Sequence, residues 1–167
     1  MGRLSERIPD LVVSLSATTR PRRPGEVEGV DYRFMDERSF DELVAADGFL
    51  EWAEFGGHRY GTPWASVREP LAEGKPVVLE IDVQGALQVR ERFADAVLIF
   101  LRPPSLDALR QRLRERGTDD SDRISERMEI ARDELAQAER FDHVVVNDRL
   151  EAAVDRIARI LTETPAR

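Results

Sequence analysis

Three groups of side chains have types and spacings that could do chemistry. Arg20-Pro21-Arg22-Arg23 follows Ser16-Ala17-Thr18-Thr19, just after the apolar run Leu11-Val12-Val13-Ser14-Leu15. If that run is a strand of an open parallel sheet, the arginines lie beyond its carboxyl end, where ligands of such sheets bind. Guanidinium groups there can grip phosphate or carboxylate through paired N–H donors; a solvated basic loop is the plainer alternative. Glu80 and Asp82 close a second apolar run, Val77-Val78-Leu79-Glu80-Ile81. Alternate strand residues share a face, and a carboxylate among apolar neighbours is costly to bury unless paired or hydrated. Such a pair could hold a hydrated magnesium ion or orient a ligand; a solvated strand end is the alternative. Arg112 and Arg116 stand one helical turn apart before Gly117-Thr118, and Arg127 lies on the next helical stretch. Neighbouring guanidinium groups of this kind can close over transferring phosphates as a mobile clamp. They could equally be surface arginines paired with Glu115 or Glu126.

Other chemistries find no residues. His58 and His143 are the only histidines and lie far apart, so no zinc spacing exists. There is no Gly-x-Ser-x-Gly elbow. Cysteine is absent, which excludes disulfides, cysteine-ligated metals and thiol catalysis and fits a reducing compartment. The formal net charge is −8, which argues against a nucleic-acid coat but not against a local basic site. No apolar run approaches the ~18 residues of a membrane span, and Met1 to Arg7 lacks the apolar core of a signal peptide. The expectation is a cytoplasmic protein with neither membrane nor nucleic-acid partners.

The elements that must position these groups follow from periodicity. The 167 residues fit one domain. The two runs above, with Val97-Leu98-Ile99-Phe100-Leu101 and Val144-Val145-Val146, read as strands buried on both faces and hence parallel. Ser105 is placed to cap a helix carrying Leu106, Leu109 and Leu113 that ends at Gly117. Ile124, Met128, Ala131, Leu135 and Ala138 form a second helical stripe, and Leu150, Val154, Ile157 and Leu161 a third. Thr62-Pro63 reads as a cap with a first-turn proline, and Gly74 as that helix's stop. Strands alternating with helices predict an α/β protein with a parallel sheet. Between Arg20 and Gly61 the pattern breaks into turns, a short helix near Phe40 to Ala46, and a hairpin from Phe49-Leu50-Glu51-Trp52-Ala53-Glu54-Phe55 through Gly56-Gly57 to Arg59-Tyr60. This stretch reads as a small inserted subdomain with mixed or antiparallel strands.

The segments Ser14 to Glu26, Gly29-Val30-Asp31-Tyr32, Phe49-Leu50-Glu51-Trp52-Ala53, Tyr60-Gly61-Thr62, Glu80-Ile81-Asp82-Val83-Gln84-Gly85, Arg112 to Thr118 and Val144-Val145-Val146-Asn147 together resemble the guanylate kinase family, bacterial type. The resemblance covers essentially the whole chain, in order and spacing. It implies an α/β fold with the parallel core of P-loop nucleoside-monophosphate kinases, a mixed GMP-binding subdomain near residues 20–62 and a helical lid near 110–128. It also implies transfer of the γ-phosphoryl group of ATP to GMP with Mg2+. By the same resemblance Ser16 and Glu51 read the guanine with Thr62 beside them, and Arg20, Arg23, Tyr32 and Tyr60 hold the GMP phosphate. Glu80 and Asp82 lie between the nucleotides, near the ribose and a magnesium ion held mainly by phosphates and water. Arg112, Arg116 and Arg127 reach the ATP phosphates, and Asn147 falls by the adenine. Guanine presents N1–H and its exocyclic amine side by side, so one ionised carboxylate can accept both, whereas adenine offers no such pair.

One family element does not occur in these residues: the phosphate loop Gly-x-x-x-x-Gly-Lys-[Ser/Thr], whose backbone N–H groups cradle ATP phosphates. Met1 to Ile8 reads as the remainder of the helix that this loop opens. A start placed too late or a shortened chain, a degenerate relative, and a GMP- or phosphopeptide-binding module without catalysis are the three expectations. The retained lid arginines and the Glu80/Asp82 pair favour the first. Without the loop, the chain as written is expected to be a poor kinase.

Overall fold

Alternating strands and helices build an α/β structure. The computed structural model describes residues 2–117 and 120–163. Along the chain run α1 (Gly2–Ser5), β1 (Val12–Val13), β2 (Ala17–Thr18), β3 (Arg33–Phe34), α2 (Glu37–Ala45), β4 (Phe49–Phe55), β5 (His58–Pro63), α3 (Arg68–Ala72), β6 (Val77–Val78), α4 (Val83–Arg92), β7 (Ile99–Arg102), α5 (Leu106–Arg116), α6 (Ser121–Leu135), β8 (His143–Val146) and α7 (Leu150–Glu163). They divide into two compact units, the described residues up to Ala96 and those from Val97 onward.

In the first unit β1 and β6 pair in parallel, Val12 opposite Val77 and Val13 opposite Val78. The chain then leaves this ladder and enters a mixed sheet of order β3-β2-β5-β4, parallel between β2 and β3 and antiparallel elsewhere. The β4–β5 hairpin turns at Gly56 and Gly57, whose φ angles of 60° and 73° are what a two-residue type I′ turn needs. Beneath the sheet lies α2, capped by the Asp36 carboxylate accepting from Ser39 N–H at 2.7 Å. Its Phe40 is wholly buried, stacks on Phe49 with ring centroids 4.4 Å apart, and joins Ala17 in one core cluster. A second cluster of Leu50, Val67 and Val89, with Val77 and Leu79 against it, ties the hairpin to the parallel pair and to α4.

In the second unit β7 and β8 pair in parallel from Ile99 opposite His143 to Arg102 opposite Val146. As the sequence predicts, Ser105 caps α5 by accepting from Ala108 N–H, and Gly117 ends it in the left-handed region at φ 67°. Asp120 caps α6, and Met128 is buried on it. Val145 packs with Ala153 and Ile160 of α7. No helix among the described residues is long and apolar enough to cross a membrane.

The structure corrects several expectations. Thr62 is not a helix cap: it belongs to β5 and pairs with Glu51, so the non-local ladder overrides the local capping signal, and Pro63 itself stands at the N-cap position of a 3₁₀ turn, Trp64–Ser66, with no side-chain cap. The α-helix after that turn, α3, starts at Arg68 without a side-chain cap. The arginine cluster follows β2 of the mixed sheet rather than the first parallel strand, because the β1–β6 ladder ends with Ser14 N–H donating to the Val78 carbonyl. Glu80 likewise lies past the end of β6 instead of inside a strand. β8 is not buried on both faces, since Val144 and Val146 are 46% and 41% exposed while Val145 is buried. α7 packs on Val145 through Ala153 and Ile160. Leu150 is exposed, and the inward stripe of α7 begins at Ala153 and Val154. Ala138 lies in a separate 3₁₀ turn beyond α6, and the Thr118 of the lid motif lies outside the described residues.

The fold places the heaviest packing at Phe40. Phe40→Ala is expected to lower unfolding stability by about 3–5 kcal/mol, against ~1 kcal/mol for Asp36→Ala at the helix cap. Urea denaturation of both variants checks this; equal losses would show that α2 is not anchored through Phe40.

Candidate active site

The first unit assembles two polar sites on the mixed sheet. At one, buried Thr18 fixes the exit from β2, its hydroxyl accepting from Arg20 N–H at 3.1 Å and donating to the Arg59 carbonyl at 2.9 Å. Arg20 is 7% exposed, and its guanidinium is gripped on both prongs by Glu26, Nη2 to Oε1 at 2.6 Å and Nη1 to Oε2 at 3.1 Å. It sits over the rings of Tyr32 and Phe34, 5.5 and 5.8 Å from their centroids. Tyr32 in turn meets Tyr60 edge-on at 6.2 Å. Glu26 also accepts from Arg23 N–H at 2.7 Å, which draws Arg23 to the same place. The Glu26 hydrogen bonds hold Arg20 above its ordinary pKa and hold Glu26 below the usual carboxylate range. Burial raises Tyr32, with Tyr60 and Glu80 adding to it. A solvated basic loop is therefore excluded for Arg20. Glu26 had no role in the sequence reading, although its place just after both arginines, across the Pro24-Gly25 turn, was a usable signal.

At the other site Glu51 of β4 is 3% exposed and stands across the ladder from fully buried Thr62. Neither Glu51 Oε1 nor Thr62 Oγ1 has a hydrogen-bond partner among the described residues. Burial raises the Glu51 pKa, and the nearby charge of Asp82 adds to this. Thr62 lies close enough to favour the ionised form in part, without a well-aligned hydrogen bond. Asp82 is the N-cap of α4, its Oδ1 accepting from Gly85 N–H at 2.8 Å. Tyr60 and Thr62 are alternate residues of β5 and so share a face about 7 Å apart, one at each site. Ser16 is half-buried just before β2, its backbone carbonyl accepting from Arg33 N–H. A buried carboxylate beside an unpartnered hydroxyl is costly unless a donor completes it.

In the second unit Arg112 Nη2 donates to the backbone carbonyl of Asn147 at 2.9 Å, so two of the expected ATP-side residues meet. Arg127 is half-buried on α6, and the side chain of Arg116 lies outside the described residues.

The α/β fold thus carries an arginine–tyrosine cluster and, on the same sheet, a buried carboxylate with an unpartnered oxygen. A guanylate kinase family profile matches residues 4–164, and the chain belongs to the guanylate kinase family. It is 60% identical over 158 residues to a guanylate kinase of Gloeobacter violaceus, covering 95% of this chain and 77% of that protein. It is 56% identical over 152 residues to a guanylate kinase of Thermus thermophilus, covering 91% and 69%. Its fold matches the crystal structure of guanylate kinase from Anaplasma phagocytophilum with a TM-score of 0.81 at 34% identity, over 98% of this chain and 81% of that one.

Because its pKa is raised, Glu51 makes the folded state bind a proton that the unfolded chain has already released. Its contribution favours the fold on the acid side and is lost as pH rises through the raised pKa. Glu51→Gln removes that loss. The variant is expected to be about 1–3 kcal/mol more stable than the wild type on the alkaline side and equal to it on the acid side. Urea unfolding across pH reads this, and parallel pH profiles for the two proteins would contradict it.

Proposed function

We propose that this protein transfers the γ-phosphoryl group of ATP to GMP, giving ADP and GDP. The observation that carries the reading is the buried Glu51 carboxylate with an unpartnered oxygen next to the unpartnered Thr62 hydroxyl. Guanine supplies the missing donors: N1–H and the exocyclic amine both point at one carboxylate, while Ser16 donates to O6. Arg20, Arg23, Tyr32 and Tyr60 take the phosphate. Glu26 holds the Arg20 fork rigid before the ligand arrives, which limits the ordering cost of binding. Residues near 20–62 form the GMP subdomain and residues near 110–128 the lid, where Arg112, Arg116 and Arg127 stabilise charge on the transferring group and Asn147 borders the adenine. In this chemistry placement and charge stabilisation supply most of the rate.

The residues present fit a magnesium ion arriving with ATP. No cluster of three or more metal-binding side chains occurs among the described residues. The Glu80 and Asp82 carboxylates are a pair, and magnesium is usually held by one or two carboxylates together with substrate phosphates and water. When bound, the ion supplies charge neutralisation on the phosphates. One Asp82 oxygen is already committed to the α4 cap, so Asp82 meets the ligand in a fixed orientation. The cysteine-free chain and its bacterial relatives support a cytoplasmic enzyme. Nothing in the structure or in these relatives favours the binding-module alternative.

Calorimetry tests the acceptor site; ADP formation from ATP, GMP and magnesium tests transfer, and is expected to be slow in this chain and faster in a variant carrying a phosphate loop ahead of Met1. GMP is expected to bind far better than AMP. Arg23→Ala and Arg20→Lys, which keeps the charge but loses the fork, are expected to weaken GMP by about 1.5–3 kcal/mol and guanosine little. Equal affinity for GMP and AMP, or equal losses for GMP and guanosine, would overturn the assignment.

A further inference from the structure

Helix α4 meets β4 through one stripe, Gly85, Gln88 and Arg92, spaced as neighbours on a helix face. β4 is an edge strand of the mixed sheet, so one side of its backbone has no strand partner there. The stripe supplies partners instead. The Gln88 amide brackets Trp52, Nε2 donating to its carbonyl at 2.7 Å and Oε1 accepting from its N–H at 3.2 Å. Arg92 Nη1 donates to the Phe49 carbonyl at 3.0 Å. Trp52 directly follows Glu51, so this clamp fixes the backbone that carries the buried carboxylate.

Gly85 completes the arrangement. It is buried, and a Cβ placed on it would lie 3.0 Å from Glu51 Cδ and closer still to Glu51 Oε2. Gly85 is not among the glycines with positive φ. It occupies a regular helical position where alanine is the better helix former. Backbone conformation therefore does not demand glycine here; the space taken by the carboxylate does.

We infer that Gly85 and Gln88 are the positioning residues that set base specificity, Gly85 by seating the Glu51 carboxylate against its bare Cα and Gln88 by holding the strand beneath it. This rests on the proposed reading of the site. With a methyl group at position 85 the carboxylate has to rotate or withdraw, and it can no longer accept two parallel N–H bonds. The ligand that reports this is IMP, which differs from GMP only by the exocyclic amine.

The test is calorimetric affinity for GMP, IMP and AMP in the wild type, Gly85→Ala and Gln88→Leu, with thermal unfolding of each. The wild type is expected to prefer GMP over IMP by roughly ten- to hundredfold, the range for one hydrogen bond to a charged group. Gly85→Ala is expected to bring that ratio close to one while IMP binding stays within a few-fold, and Gln88→Leu to lower the ratio less. An unchanged ratio in Gly85→Ala, or equal weakening of all three nucleotides, would overturn the inference. A wild type with no preference for GMP would instead overturn the reading of the site. If Gly85→Ala does not fold, the ratio in Gln88→Leu decides.

Discussion

The first unit is organised around a carboxylate buried without a full set of partners. Glu51 is withdrawn from water, pressed by the charge of Asp82, and left with one oxygen unbonded. Such a group opposes folding on its own account, so the surrounding structure must hold it there. The β4–β5 ladder fixes its strand, the cluster of Leu50, Val67 and Val89 fixes the layer beside it, and α4 closes the remaining side with a glycine and an amide. In the proposed function the unmet hydrogen-bonding capacity becomes selectivity: a ligand with two adjacent N–H donors relieves it, and one presenting an acceptor aggravates it.

The anion cluster follows the opposite rule. Arg20 is also buried, but Glu26 satisfies it on both prongs and aromatic rings flank it. Its charge is stable before any ligand binds, and it is preorganised rather than frustrated. Strand β5 joins the two sites, because Tyr60 and Thr62 project on one face. The chain thus presents a satisfied cation and an unsatisfied anion at a fixed separation, the inverse of a molecule with a phosphate at one end and paired donors at the other.

Features set by local chemistry were legible in the sequence. The Gly56-Gly57 turn, the Ser105 cap and the Gly117 stop each depend on a few adjacent residues, and all three stand in the structure. Thr62-Pro63 carried an equally good local signal, yet pairing with a strand distant in sequence decided its fate. The apolar run Val144 to Val146 looked doubly buried because composition cannot say how many layers cover a strand. The burial of Arg20 depends on Glu26 and Tyr32 folding over it, so its spacing was compatible with a solvated loop. Gly85 was recognisable only as part of a motif; glycine usually signals backbone conformation, and here it signals the position of another residue's carboxylate.

The central claim is that Glu51 waits, destabilised in its ionised form, for a donor-rich base. The most direct measurement is an NMR titration of the Glu51 side-chain carboxyl carbon, without ligand and with saturating GMP. The account predicts a midpoint above the ordinary carboxylate range in the free protein. GMP should move it down, because a ligand that binds the ionised form preferentially must lower its pKa. AMP should leave it in place. An ordinary midpoint in the free protein, or a midpoint that GMP does not move, would contradict the account.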